Sequence, residues 1–411
     1  MELICRFCNT PLQTSFCDLG MSPLSNANLQ PGQLNHMEPF YPLHAYVCNS
    51  CLLVQLESFE TPDQIFNDQY AYFSSYSDSW LAHAKAYAEQ MAARFRLNPD
   101  SRVVEIASND GYLLQYFVQK NIPVLGIEPA GNVARAAREK NVETLEAFFG
   151  EVTATTLRRE GKSADLLLGN NVLAHVPDLN DFVAGLKILL KPQGIITMEF
   201  PHLLQLMQKN QFDTIYHEHF SYFSFATAEK VFAAHDLTLF DVEELSTHGG
   251  SLRIYARHAE NEIQLVADAV NALRAREAQA GLDQPEGYRG FEDQVRETKR
   301  QLLEFLIAAK REGKQIVGYG APAKGNTLLN YCGIRTDFID YTVDRSPHKQ
   351  GVYLPGTHIP VRHSDEIAKT KPDYIFILPW NLRDEIIKQL AYAREWGAKF
   401  VLPIPQIEVV A

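Results

Sequence analysis

The chain has 411 residues, too many for one ordinary core, so two or three domains are expected. Its 46% hydrophobic and 21% charged content are those of a soluble globular protein, its net charge of −12 speaks against a nucleic-acid partner, and no apolar run reaches the length of a membrane span. The N-terminus, Met-Glu-Leu-Ile-Cys-Arg-Phe-Cys, has neither the basic nor the apolar region of a signal peptide. The expected location is the cytoplasm, where six cysteines read as reduced thiols or metal ligands rather than disulfides.

The first segment opens on two C-x2-C knuckles, Cys5-Arg-Phe-Cys8 and Cys48-Asn-Ser-Cys51. Each knuckle puts two thiolates on one side of a tight loop, and two knuckles supply the four sulfurs of a tetrahedral Zn²⁺ site. Four cysteine ligands leave no position for water, so the metal is expected to be structural. No βαβ pattern surrounds either knuckle, which disfavours a redox pair, and Cys17 and Cys332 read as buried thiols. Between the knuckles, Pro23, Asn26, Asn28, Pro31, Gly32, Pro39 and Pro42 suggest a loop-rich lobe that needs its metal to order it. The stretch Tyr70-Ala-Tyr72-Phe-Ser74-Ser75-Tyr76-Ser77 follows. It reads either as an aromatic strap between lobes or as hydroxyls lining a polar pocket.

In the middle segment, residues 80–95 have the pattern of an amphipathic helix. A short buried strand then runs from Arg102 through Glu105 into the small-residue turn Ala107-Ser108-Asn109-Asp110-Gly111 and a helix. A second strand ends at Glu128-Pro129, and a third runs into Gly169-Asn170-Asn171-Val-Leu-Ala-His175. A helix over 180–190 and a strand over 195–200 continue the alternation, so a mostly parallel sheet is expected. Such a first turn brings backbone N–H groups to a ligand, and an acid at the end of the second strand accepts from ribose hydroxyls. A hydride-transfer domain would want G-x-G-x-x-G, and this turn has one glycine.

The pattern Glu-Ile-x-x-x-Asp-Gly followed by Gly-x-Glu-Pro resembles class I S-adenosylmethionine-dependent methyltransferases. The resemblance implies that Glu105, Ala107, Ser108, Asn109 and Gly111 cradle the methionine part. Glu128 and Pro129 would hold the ribose, and Phe149, Asn170 and Asn171 would complete the cofactor site. Ala107 departs from the glycine usual in that family.

Next comes Phe212-Asp-Thr-Ile-Tyr216-His217-Glu218-His219-Phe-Ser-Tyr222-Phe-Ser224, dense in acid/base groups. Together with the four-cysteine lobe, Asn171-Val-Leu-Ala-His175-Val and Thr247-His248-Gly-Gly-Ser-Leu-Arg253, it resembles the sugar C-methyltransferases that act on nucleotide-linked 4-keto-6-deoxysugars. The resemblance covers essentially the whole chain, in order. Methylating carbon beside a ketone needs a base, donors for the enolate oxygen, and a methyl donor in line with the carbon. His219 is expected to be the base, with Glu218 orienting it or serving as the alternative base. Tyr216 and His175 are expected to donate to the C4 oxygen. Tyr70, Tyr72, Tyr222, His248 and Arg253 are expected to face the sugar, and His217 reads as structural. If 216–219 is helical, Tyr216 and His219 share a face; if it is a loop, spacing says little. Helix 227–236 and strands 237–243 and 251–257 follow, with His248-Gly-Gly as a hairpin connection, a lip over the substrate, or both.

The last segment begins with amphipathic helices over 261–280 and 291–312. The turn Gly318-Tyr-Gly320-Ala-Pro-Ala323-Lys324-Gly-Asn-Thr327 then opens a second α/β unit. It is not a Walker A loop, yet a lysine at a helix N-terminus suits a diphosphate. A strand over 338–343, Asp344-Arg-Ser-Pro-His-Lys349 and a strand over 374–378 follow. The resemblance implies that this unit grips the nucleotide diphosphate, with Gly320, Ala323, Lys324, Thr327 and Lys349 as contacts.

The expected architecture is α/β throughout. It comprises a zinc-binding and cap lobe (1–75), a class I methyltransferase, Rossmann-like core (76–285) and a C-terminal Rossmann-like nucleotide-sugar domain (286–411). The expected reaction is methyl transfer to C3, or less favourably C5, of an NDP-4-keto-6-deoxysugar in branched-chain deoxysugar biosynthesis, by a monomer with no nucleic-acid or membrane partner. Small-molecule O- or N-methylation and non-catalytic nucleotide-sugar binding are the rival expectations.

Overall fold

The computed structural model describes residues 3–59, 61 and 73–411; Tyr70 and Tyr72 lie outside them. In the first segment β1 (Thr14–Ser22), β2 (Tyr41–Val47) and β3 (Val54–Leu56) pair antiparallel. The middle segment contributes β4 (Val103–Ile106), β5 (Val124–Ile127), β6 (Thr144–Leu145), β7 (Ala164–Asn170), β8 (Leu190–Pro201), β9 (Ser221–Tyr222), β10 (Leu237–Leu245) and β11 (Ser251–His258). The last contributes β12 (Ile316–Tyr319), β13 (Thr342–Asp344), β14 (Val361–His363), β15 (Tyr374–Ile377), β16 (Lys399–Leu402) and β17 (Glu408–Val410).

The central sheet has the order β10-β11-β8-β7-β4-β5-β6. β11 runs antiparallel to both its neighbours, and the other pairings are parallel. This is the class I methyltransferase arrangement. Its inner strands are covered on both faces, which is why they read as unbroken apolar runs. Side chains alternate between two cores: Val104, Ile106 and Leu167 join one, Val103, Leu166 and Leu168 the other. Helix Asp78–Arg94 covers the second core, capped by the Ser77 hydroxyl accepting from Trp80 N–H at 3.3 Å. Helices Leu179–Leu189 and Phe225–Ala233 cover the first.

The third sheet, β14-β13-β12-β15-β16-β17, is parallel except for β17. Its core is continuous with the first lobe: Phe16 of β1 stacks on Phe291 of helix Phe291–Arg311 with centroids 4.8 Å apart. No helix among the described residues is long and apolar enough to cross a membrane.

Three sequence expectations change, the simplest being the strand expected over 338–343, which starts only at Thr342. The first lobe is loop-built between residues 23 and 40, but strands bracket that loop, and β9 from the middle segment joins their sheet through Val54↔Tyr222 and Gln55↔Ser221. Register shifts between Ser15 and Cys17 and between Asp18 and Met21 break the alternation that would have announced β1. The helix expected over 261–280 starts only at Asp268, because residues 259–267 close the turn after β11.

Candidate active site and zinc centre

The knuckles meet as their spacing requires. The four sulfurs of Cys5, Cys8, Cys48 and Cys51 lie within 4.8 Å of one another, with Cys5–Cys51 at 3.5 Å and Cys8–Cys48 at 3.4 Å. A Zn–S bond of about 2.3 Å gives a tetrahedral S–S edge of roughly 3.8 Å, so the donor set fits zinc. Gln55 supports it from outside: its Nε2–H reaches Cys5 Sγ at 3.1 Å while its Oε1 accepts from Arg6 N–H at 2.8 Å.

At the C-terminal ends of β4 and β7 the strand order reverses, which is where an open parallel sheet binds ligands. The turn after β4 takes the left-handed conformation at Ala107 (φ +53°), Asn109 (φ +48°) and Gly111 (φ +72°). Ala107 therefore does what glycine would do there, at the cost of strain at its Cβ. Glu128 ties the turn to β5: its oxygens accept from Asn109 N–H at 3.0 Å and Ala130 N–H at 2.9 Å. Burial raises the Glu128 carboxyl to about 7 against those bonds, and raises the wholly buried Glu105 as well. Close beside them the Ser108 hydroxyl and both polar atoms of the Asn170 amide are buried without a partner among the described residues. Orphaned donors and acceptors at the switch point fit a polar cofactor such as S-adenosylmethionine. Phe149 packs edge-on against Phe182 at 5.4 Å, and Pro129 follows Glu128 at the same strand end.

Residues 216–219 form a β-turn rather than a helix, closed by His219 N–H to the Tyr216 carbonyl at 2.8 Å. The turn puts the two side chains face to face: Tyr216 Oη and His219 Nε2 are 2.8 Å apart and the ring centroids 4.0 Å. His219 Nδ1 lies 2.9 Å from the Thr214 carbonyl, which can only accept, so Nδ1 carries the hydrogen and Nε2 the lone pair. Burial, then the neighbouring His175, hold His219 well below the ordinary imidazole range, so the ring is neutral near pH 7. His175, lowered to about 4 by burial, meets His219 edge-on at 4.7 Å. Glu218 Oε1 accepts from Asn26 Nδ2 at 2.5 Å.

His248 closes the site from the β10–β11 connection, where it adopts φ +53° and bonds Asn171 Nδ2 at 2.7 Å. The next residue must be glycine: a Cβ on Gly249 would lie 2.6 Å from the Trp380 ring. Trp380 and Asn381 follow β15 and Lys324 follows β12, so they occupy the switch point of the third sheet. Lys324 Nζ bonds Asn381 Oδ1 at 2.6 Å and lies 4.4 Å over the Trp380 ring. Burial lowers its ammonium to about 8, with Asp213 opposing. The switch points of both parallel sheets thus converge on the 212–219 stretch.

Other expected residues are engaged elsewhere. Arg253, 2% exposed, bonds Glu199 at 2.8 Å and Glu243 at 2.9 Å and lies over the Tyr87 ring. Tyr222 belongs to the core and lines, together with His219, a small space of about 10 Å³. His217 packs on the first lobe, 3.1 Å from the Pro42 carbonyl. Lys349 Nζ donates to the Ala321 carbonyl at 2.8 Å beside the Gly320 turn, and Ala323 opens helix Ala323–Cys332. Asn26, Asp213 and Trp380 were not singled out from sequence.

Three family models match: “Putative zinc binding domain” over residues 5–66, “Methyltransferase domain” over 80–242 and “C-methyltransferase C-terminal domain” over 246–405. C-methyltransferase NovU of Streptomyces niveus is 35% identical over 408 residues, which cover 99% of this chain and 96% of that protein. A ubiquinone biosynthesis O-methyltransferase of Bartonella tribocorum is 27% identical over 116 residues, 26% of this chain and 47% of its own. Among solved structures, magnesium protoporphyrin IX methyltransferase of Synechocystis with bound SAH aligns at 14% identity and a TM-score of 0.34, over 43% of this chain and 82% of that one.

Proposed function

This chain belongs to the C-methyltransferase family, and we propose that the carbon it methylates is C3, beside the C4 ketone of an NDP-4-keto-6-deoxysugar, in the biosynthesis of a branched-chain deoxysugar. The observation that carries the reading is the Tyr216–His219 pair, a neutral, half-buried imidazole whose ring lone pair points at a phenol proton. N-methylation of a free amine needs neither member, and O-methylation of a hydroxyl can use a base but has no enolate oxygen for a donor to stabilise. Carbon beside a ketone does, since its proton is too weakly acidic to leave without a base and a stabilised enolate.

S-adenosylmethionine, when bound, supplies an electrophilic sulfonium methyl. His219 Nε2 takes the proton from C3. As it does so, the Tyr216 hydroxyl, which holds that lone pair in the free enzyme, is released toward the oxyanion forming at C4. His175 lines the same site, and Glu218, held by Asn26, orients the turn and is the alternative base. His248, through Asn171, links the loop after β7 to the lip of the site. Lys324, with Lys349 beside the Gly320 turn, supplies positive charge for the diphosphate. Its ammonium is among the charges that depress His219, which agrees with a sugar spanning the two groups.

The test is solvent deuterium exchange at the carbon alpha to the ketone, with enzyme and no cofactor. Exchange is expected at C3; none at either alpha carbon, in an enzyme that turns over when cofactor is added, refutes the enolate reading.

A further inference from the structure

The catalytic turn carries few anchors of its own. Helix Phe212–Thr214 is one turn of 3-10 structure, and residues 215–216 have no regular structure. What holds them comes largely from the C-terminal α/β unit. Thr327 Oγ1–H donates to the Ile215 carbonyl at 3.0 Å, one residue before Tyr216. Trp380 Nε1–H donates to Asp213 Oδ2 at 2.7 Å, one residue before the Thr214 carbonyl that sets the His219 tautomer. Asn326 Nδ2 donates to the Ser25 carbonyl at 2.6 Å, and the adjoining Asn26 holds Glu218. All three donors are buried, Thr327 at 1%, Asn326 at 2% and Trp380 at 7% exposure, so water cannot replace them freely.

We propose that Thr327, Trp380 and, through Ser25–Asn26, Asn326 are positioning residues for the Tyr216–His219 pair, so that the unit gripping the nucleotide also sets the proton-transfer geometry. The inference rests on the reading of that pair as the proton-transfer device. A threonine hydroxyl has one proton, and here it is committed to Ile215, so Thr327 acts on the turn rather than as a donor to the diphosphate. Asp213 is fully buried, and the Trp380 N–H is the side-chain donor to its carboxylate beside the backbone N–H groups of Asp213 and Thr214 and the charge of Lys324. The Tyr216–His219 contact at 2.8 Å weakens steeply with small displacements, and errors near 1 Å in reacting geometry cost on the order of 100-fold.

The experiment uses the full chain with Thr327→Val, which keeps shape and removes the donor, and Trp380→Phe, which keeps a smaller ring under Lys324 and removes the N–H with part of the indole. Expected for both is a fall in kcat of roughly tenfold or more, with KM for nucleotide sugar and cofactor within about twofold. Deuterium exchange at the alpha carbon should slow by the same factor, and Thr327→Ser should restore both. If kcat stays within about twofold of wild type in both variants, or if KM for the nucleotide sugar rises while kcat holds, the proposal is overturned. His219→Asn separates the two levels. If it is inactive while both positioning variants are normal, only this inference fails; if it is fully active, the proton-transfer reading fails and takes this inference with it.

Discussion

His219→Asn is the sharpest perturbation of the site, because asparagine can keep one of the two imidazole bonds. Its amide nitrogen reaches the Nδ1 position and can still donate to the Thr214 carbonyl, now 2.9 Å away, so the turn keeps its anchor. What it lacks is any atom at Nε2, the position 2.8 Å from Tyr216 Oη. The lost general base is worth on the order of 10²–10⁴ in turnover, or about 2.7–5.5 kcal/mol at 1.36 kcal/mol per decade. The bond between Tyr216 Oη and the imidazole is lost as well, at a cost to stability of about 0.5–1.5 kcal/mol. Three measurements separate these effects: kcat under saturating substrates, alpha-carbon exchange without cofactor, and calorimetric affinity for S-adenosylhomocysteine. The first two should fall together while the third is unchanged, since no cofactor contact is altered. Turnover within about tenfold of wild type, with exchange intact, would refute His219 as the base and leave Glu218 to carry the role.

Lys324 sets a basic limb. Its ammonium, lowered to about 8 by burial, is charged below that pH and neutral above it, so KM for the nucleotide sugar should rise as pH climbs through about 8. Lys324→Arg stays charged and should lose that limb; an identical limb in the variant would assign it to another group. At Ala107, φ +53° costs a non-glycine residue about 1–2 kcal/mol, so Ala107→Gly should hold stability within about 1 kcal/mol and keep cofactor affinity. Ala107→Val, β-branched at the same angle, should lower Tm and weaken S-adenosylhomocysteine binding, and a variant indistinguishable from wild type in both would contradict the left-handed turn. Cys48→Ala should lower zinc content, measured by elemental analysis, and with it soluble yield; a fully folded, fully active, zinc-free variant would rule out a structural metal.

What the sequence shows and what it hides follow from range. The knuckles were legible because each is a four-residue pattern, and β4, β5, β7 and β8 because burial on both faces leaves apolar runs. The turn at Tyr216–His219 was not, since a three-residue spacing has meaning only on a helix, and the contact is made by a β-turn instead. Arg253 announced a charge but not its use: Glu199 and Glu243 sit on two different strands and absorb it. Trp380 and Asp213 are 167 residues apart, and only the meeting of two switch points brings them to 2.7 Å. Asn26 sat in a Pro- and Asn-rich stretch whose composition explains a loop well enough to conceal that one amide in it holds Glu218.

The described residues of the zinc lobe bear on the chemistry through the turn they hold. Its β3 is three residues long and pairs on one side with β2 and on the other with β9, which begins two residues after His219. The knuckle sulfurs lie in the same core as Phe223 and Phe225, immediately beyond β9. The lobe supplies two further holds on the turn, the Pro42 carbonyl to His217 and Asn26 to Glu218. The lobe's bulged strands share their core with the C-terminal unit, and four metal–sulfur bonds at the knuckles would add to what holds these contacts. The catalytic turn is therefore gripped from opposite sides. The zinc lobe forms one side, and the C-terminal α/β unit forms the other through Thr327 and Trp380. The methyltransferase sheet contributes the cofactor site and the His175 loop, whose Ala174 carbonyl accepts from Phe220 N–H at 2.7 Å. A turn assembled in this way need not be rigid in isolation, which explains how a segment with so little regular structure can hold a hydrogen-bonded tyrosine–histidine pair.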